Sequence, residues 1–241
     1  MDSGTDARTS TGLSTLWDVI VAPRSAFATL RERPFVGWAF AVTCVLGMIG
    51  AFLQIPAGEH IAVATFATNA THDPRIAAMS PAQQQSALEV TKSIQHWFWI
   101  FYPVLVAIAL LVTALVLRVI SAIGRGDGGF RRCLALAANV AVLSFGISYL
   151  LLGVLVRVRG GEAFSTSLDL VLTMPSLAWA APGAPVKVAT FLSSFNVFTI
   201  WSFVLLGLGQ REVSRVSPLW AWIGALLLTL GPAVTASAFA R

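Results

Sequence analysis

The stretch WFWIFYPVLVAIALLVTALVL, residues 97–117, decides the fold class of this chain. It contains no Asp, Glu, Lys or Arg. As an α-helix rising about 1.5 Å per residue, it is long enough to cross the hydrocarbon core of a bilayer, which is about 30 Å thick. The stretch therefore predicts a transmembrane helix.

Four further stretches have the same character. Each lacks acidic and basic residues over about 20 positions, and each must be helical because lipid offers backbone groups no other hydrogen-bond partner. The predicted spans are Phe35–Ile55, Trp97–Leu117, Leu134–Val156, Val188–Gly209 and Leu219–Ala240. The sequence thus predicts an all-α fold, a polytopic membrane helix bundle with about five transmembrane helices.

Composition supports this class and excludes others. The chain has 241 residues, of which 56% are hydrophobic and 11% charged, with a mean hydropathy of +0.78. Soluble domains carry about a quarter of their residues as charged side chains, so we expect no soluble enzyme domain here. The net charge is +5, but no basic run alternates with aromatic residues, and we expect no nucleic-acid partner.

The distribution of basic residues predicts the orientation. Ten arginines lie before the first span and in the loops after the second and fourth, whereas six basic residues lie on the other side. Basic residues collect on the cytoplasmic side of membrane proteins. We therefore expect a bacterial inner-membrane protein with its N-terminus in the cytoplasm and its C-terminus outside.

The segments outside the spans also carry signals. Residues 1–12 are predicted to form a flexible tail and residues 13–240 a single membrane domain. Residues 13–31 form a predicted amphipathic interfacial helix, with Leu16, Trp17 and Phe27 on its apolar face and a break at Pro23.

Two loops contain further predicted elements. Ser80-Pro81-Ala82-Gln83 is a capping box that predicts a helix running toward the second span. The segment Leu168–Ala181 is apolar, too short to cross the bilayer and interrupted by Pro175, which favours an interfacial or re-entrant element.

The cores of the five predicted spans contain no ionisable side chain. Transporters and intramembrane enzymes generally need such groups, so we predict no catalytic residue, no cofactor and no metal site. The three histidines, His60, His72 and His96, match no tight ligand spacing, and metal binding by them stays open.

Small and polar residues inside the spans allow two interpretations. Asn139, Gly146 and Gly153 are spaced seven apart and form a stripe where another helix can approach. In the fourth span, Asn196, Thr199 and Ser202 serve either helix packing or a polar crevice for a lipid headgroup or small solute.

Two segments are similar to a known family. One is residues 16–30, LWDVIVAPRSAFATL, followed by Arg33-Pro34, and the other is residues 195–202, FNVFTIWS. With five spans, this pattern resembles the Yip domain family in its bacterial branch, over roughly residues 14–240. Pro23, Phe27, Asn196 and Trp201 match the family pattern and are interpreted as structural.

The resemblance implies a function without catalysis. Eukaryotic members act in vesicle trafficking through long cytoplasmic regions that contact Ypt/Rab GTPases, and this chain has only a short arm. We expect a membrane protein that binds a protein partner or organises lipid. Its expected partners are the lipid bilayer and another membrane protein or a second copy. The alternative is a small permease, channel or lipid transporter that uses the polar face of the fourth span.

Overall fold

The computed structural model describes the backbone of residues 12–240 and the side chains from Leu16 to Ala240. The predicted flexible tail therefore lies almost wholly outside the described residues. Within them the chain is helical, and the β-type contact is one isolated bridge between Ser176 and Asn196. The predicted all-α fold is confirmed.

The N-terminal arm consists of two short helices, α1 (Gly12–Val21) and α2 (Pro23–Glu32). Pro23 occupies the first turn of α2, where its missing N–H costs no hydrogen bond. The arm packs on the bundle, with Leu16 7% exposed and Phe27 fully buried, while Trp17 is 67% exposed. Of the three predicted interfacial residues, two therefore contact protein, and Trp17 alone is free to contact lipid.

The first predicted span, Phe35–Ile55, corresponds to the first helix of a bent pair. Helix α3 (Gly37–Leu53) continues as α4 (Ile55–His72) after a bend of 54° at Gln54. A proline at position 56, in the first turn of α4, is compatible with this new helical direction. The short α5 (Pro74–Ala77) follows.

The second predicted span is the apolar half of a longer helix. Helix α6 (Pro81–Trp97) starts at the predicted capping box, in which Ser80 and Gln83 exchange side-chain and backbone hydrogen bonds. A 3₁₀ turn, Phe98–Phe101, joins it to α7 (Tyr102–Ile123), and the helical segment totals 43 residues. The predicted capping box is confirmed.

The third predicted span lies at the centre of the bundle. Helix α8 (Phe130–Ala141), a π-helical turn (Val142–Ile147) and α9 (Ser148–Arg159) form one 30-residue segment. All side chains from residue 135 to 143 are buried, because the arm, α3, α7 and a later helix surround this segment.

The fourth predicted span is divided in two. After α10 (Ser167–Leu172), helix α11 (Val186–Ser193) ends and α12 (Val197–Ser214) begins a new helix. The side-chain oxygen of Asn196 accepts hydrogen bonds from the backbone N–H groups of Phe198 and Thr199, 3.0 Å each, and so caps α12. The last helix is α13 (Pro218–Phe239).

The count of five spans is not confirmed. Among residues 12–240, three continuous helical segments are long and apolar enough to cross a membrane, and a fourth results if the α3–α4 pair counts as one span. The fourth predicted span fails as a single helix because the polar run before Val197 supplies a helix cap in the middle of it.

Candidate functional site

The two ends of the bundle differ in packing. At one end, the loop of residues 124–129 lies against the loop of residues 214–217, and α2 covers both α8 and α12. We call this the closed end. The opposite end contains the bend between α3 and α4, helices α9, α10 and α11, and the last turns of α13, and we call it the open end.

Glycines allow the close approach at the closed end. A Cβ atom on Gly126 would overlap the carbonyl oxygen of Ser214, and one on Gly128 would overlap the Ser214 hydroxyl. The Asp127 N–H donates to the Ser214 carbonyl at 2.9 Å, and its carboxylate lies 3.6 Å from Arg132 and 4.0 Å from Arg215. The two loops are therefore in close contact at this end.

A buried amide that sequence reasoning missed also belongs to the closed end. Gln210 is fully buried, and its Nε2 donates to the Leu117 carbonyl at 2.7 Å, which links α12 to α7. The predicted fourth span ends at Gly209, so Gln210 lies just outside the predicted membrane segment.

A cavity of 870 Å³ lies inside the bundle, between α7, the α8–α9 segment, α12 and α13. We call it the chamber. Its walls are mainly apolar, and representative residues are Leu110, Val140, Phe145, Leu206, Leu228 and Ala233. Ligand sites in proteins have volumes of about 300–1,000 Å³, so the chamber has the size of a binding site.

A few polar groups interrupt the apolar walls. Ser202 lines the chamber, is 6% exposed, and its hydroxyl has no hydrogen-bond partner. On the facing helix, Pro232 has no N–H to donate to the carbonyl of Leu228, and both residues line the chamber. These groups are suited to a ligand that brings its own hydrogen-bonding atoms.

The chamber opens sideways between two helices. Val112 of α7 and Leu227 of α13 both line it, and they are 55% and 56% exposed. Both belong to segments apolar enough to cross a membrane, so the opening faces the hydrocarbon region rather than water. A lipid chain can enter there without leaving an apolar environment.

The predicted polar crevice is partly assembled in the structure. Thr199 and Ser202 lie in the chamber wall, but Asn196 does not. The Asn196 oxygen accepts from two backbone N–H groups and from the Thr199 hydroxyl at 3.1 Å, so its acceptor is occupied by the start of α12. The sequence spacing placed the three residues near each other and could not show that one of them was a cap.

The predicted packing stripe lies against α3 and the residues before it. Asn139 Nδ2 donates to the Ala135 carbonyl at 2.8 Å and to the Phe35 carbonyl at 3.4 Å. A Cβ atom on Gly146 would contact Thr43 at 3.4 Å, and one on Gly153 would meet the backbone of Gly50.

The three histidines occupy separate surroundings. His96 Nδ1 lies 3.1 Å from Glu59, His60 Nδ1 lies 2.8 Å from the Phe164 carbonyl, and His72 is beside Thr71. Within residues 12–240, no three His, Cys, Asp or Glu side chains that could hold a metal ion lie together.

These features define a polytopic α-helical membrane protein with an apolar chamber that opens between two of its helices. The profile of the Yip1 domain matches residues 17–238, and the chain belongs to the Yip1 domain family. The resemblance found in the sequence is thereby confirmed. The chain is also 27% identical over 225 residues to "Membrane protein YknW" of Bacillus subtilis (strain 168), which covers 91% of this chain and 87% of that protein. No solved structure matches the chain significantly.

Proposed function

We propose that this Yip1-family membrane protein acts without catalysis, by holding the apolar part of a lipid molecule in the chamber. The observation that carries the proposal is the Ser202 hydroxyl, which is buried in the chamber wall and has no partner. An unpaired buried hydroxyl costs about 1–3 kcal/mol, and a lipid ester or hydroxyl would offset that cost.

The shape of the site favours lipid over a protein partner. The chamber is concave, lies between helices of the same chain and opens toward lipid between Val112 and Leu227. Its apolar walls suit an acyl or isoprenoid chain, and its few hydroxyls suit one polar group of the same molecule. In this proposal Asn139, Gly146 and Gly153 are structural, since they hold the central helix against α3.

A second candidate function is transport, and one specific observation favours it. The interruption between α11 and α12 divides an apolar segment beside the chamber. Broken helices of this kind form the substrate sites of many secondary transporters. A permease would need a water-filled path past Thr199 and Ser202.

The chamber proposal can be tested by counting bound lipids. The full chain would be purified from membranes in mild detergent, and retained lipids would be measured by native mass spectrometry. Thr113→Trp places a large ring in the chamber, whereas Leu115→Trp places the same ring on the lipid-facing side of α7. We expect the first variant to lose the retained lipid and the second to keep it.

Equal retention by both variants would contradict lipid binding in the chamber. The transport candidate has a separate test, in which Thr199→Cys and Ser202→Cys are exposed to a water-soluble maleimide in a background lacking Cys44 and Cys133. Both native cysteines are buried, and Ala is chosen as the replacement because it removes only the sulfur atom. Rapid labelling at both positions would favour a hydrated path.

We further propose that the closed end faces the cytoplasm of a bacterium, which places the N-terminus inside and the C-terminus outside. The arginines of residues 118–132 and 211–215 support this orientation. A membrane-impermeant maleimide applied to intact spheroplasts should label Ala163→Cys and leave Gly129→Cys and Ser217→Cys unlabelled. The reverse pattern would overturn the orientation.

A further inference from the structure

A second cavity, of 590 Å³, adjoins the chamber at the open end of the bundle. Its walls come from α4, the segment leading into α10, α11 and the end of α13. We call it the vestibule. Ala236 of α13 lines both cavities, and the neighbouring residues Ser193 and Ser194 line the vestibule and the chamber, respectively. The two cavities therefore share part of their walls at α13 and at the end of α11.

The vestibule wall is mainly apolar, like the chamber wall, but it carries more polar groups. Eight of its fifteen lining residues carry a hydroxyl or an amide, and none of the fifteen is Asp, Glu, Lys, Arg or His. The polar residues come from three separate elements, for example Asn69 of α4, Ser167 of α10 and Thr190 of α11. The polar groups among the described lining residues are therefore uncharged and set in an apolar wall.

Three of the vestibule hydroxyls already donate their protons to carbonyl groups of their own helix. Thr68 donates its proton to the Ala64 carbonyl at 3.0 Å, Thr190 to the Val186 carbonyl at 2.8 Å, and Ser193 to the Thr190 carbonyl at 2.8 Å. Each hydroxyl oxygen keeps lone pairs for a ligand after donating its own proton. A ligand that donates hydrogen bonds, such as a sugar or glycerol, is matched by this wall.

A phosphate headgroup is a poor match for the same wall. Phosphate oxygens accept hydrogen bonds and carry charge, and they are generally bound by Arg, Lys or free backbone N–H groups. Among the described lining residues, none supplies a cation to an anion placed in the vestibule.

We propose that the vestibule binds the uncharged, hydroxyl-bearing headgroup of the lipid whose chains occupy the chamber. The ligand class is a diacylglycerol or a glycosyl diacylglycerol. This inference rests on the proposed function, because the vestibule receives a headgroup only if the chamber receives the chains.

The test compares lipids that differ only in the headgroup. The full chain would be reconstituted in nanodiscs with equal amounts of dioleoylglycerol, glucosyl dioleoylglycerol and dioleoylphosphatidylglycerol, then extracted and analysed by native mass spectrometry. We expect at least one uncharged lipid to be enriched over phosphatidylglycerol by roughly fivefold, the effect of about one net hydrogen bond. The preferred uncharged lipid distinguishes a glycerol headgroup from a sugar headgroup.

A pair of double variants isolates the vestibule. The double variant T68V with T190V removes two vestibule hydroxyls that hydrogen-bond only within their own helices. We therefore expect it to change the stability of the fold little. T91V with T235V removes two hydroxyls with the same local bonding outside both cavities. In the first double variant, the ratio of bound uncharged lipid to bound phosphatidylglycerol should fall close to one, while the total amount of bound lipid stays the same. In the second double variant, this ratio should stay as in the unmodified protein.

The possible failures are distinguishable. If lipid is retained and is lost in Thr113→Trp, but phosphatidylglycerol binds as well as or better than the uncharged lipids, the headgroup inference is wrong and the proposed function stands. If no lipid is retained, or Thr113→Trp retains as much as Leu115→Trp, the proposed function fails and the inference fails with it.

Discussion

The closed end of the bundle is tightly packed, whereas two cavities lie toward the open end. At the closed end, Gly126 and Gly128 let two loops meet, and Phe27 of the arm lies against Gly209. At the open end, α3 bends and α11 separates from α12, and α13 contains Pro232. Close approach by glycine removes space, whereas interrupted helices create it.

This difference separates two uses of small and polar residues in one membrane protein. At the closed end they are covered by neighbours, as Gln210 is by α7. At the open end similar residues line cavities. Buried polar atoms without a hydrogen-bond partner occur in both regions, at Ser202 in the chamber and at Ser121 and the Gln210 side-chain oxygen near the closed end. Residue type alone therefore does not tell a packing position from a binding position.

The largest expected effect comes from the arm at the closed end. Phe27→Ala should lower the free energy of unfolding by about 3–5 kcal/mol, because a fully buried aromatic side chain leaves a cavity. Trp17→Ala is the control on the same arm, and since Trp17 is exposed we expect a loss below about 0.5 kcal/mol. Chemical unfolding in detergent, followed by circular dichroism, measures both. Equal losses would mean that the arm does not pack as described.

A matched pair of Gly→Ala substitutions tests the two ends directly. Gly126→Ala should lower the free energy of unfolding by about 1–3 kcal/mol. The new methyl group would overlap the backbone carbonyl oxygen of Ser214, and a side-chain rotation cannot relieve a clash with the backbone. Gly58→Ala, in α4 beside the bend at the open end, would meet only the flexible Gln95 side chain at 3.3 Å and should be neutral or stabilising by up to about 1 kcal/mol. If Gly58→Ala were the more harmful change, the comparison between the ends would be broken.

The smallest expected effect concerns the chamber wall. In delipidated protein, Ser202→Ala should raise stability by up to about 1 kcal/mol, because it removes a buried hydroxyl without a partner. Ser194→Ala is the control, because its hydroxyl already donates to the Thr190 carbonyl at 3.2 Å, and we expect no gain there. Unfolding of lipid-free and lipid-loaded samples should show the gain only in the former. A loss of stability in the lipid-free protein would mean that Ser202 has a partner.

Much of the fold was predictable from local chemistry. The capping box at Ser80, the break at Pro23 and the apolar run of residues 97–117 each depend on neighbours within a few positions. The division of the fourth span was not predicted, although Asn196 is a common helix-cap residue. The apolar residues on both sides of Asn196 favoured one continuous span. Hydropathy is averaged over a window of residues, whereas a helix cap depends on a single residue.

The candidate site was less predictable than the fold. Thr199 and Ser202 were found because they share a polar face of one helix, but the other walls come from α7, α8 and α13. Residues such as Thr113 and Ala233 are unremarkable in the sequence. They acquire a role only when three distant segments meet.

The sequence by itself determined that this protein is a membrane helix bundle of the Yip1 domain family. Hydropathy, helix caps and family motifs each depend on residues that are close together in the sequence. Only the tertiary structure decided that the arm is packed, that Asn196 is a cap, and that Ser202 faces an 870 Å³ chamber. The physical reason is that apolar and small residues look alike in sequence whether they face lipid, another helix or a cavity. Which of these each one meets depends on helices that are far apart in the chain.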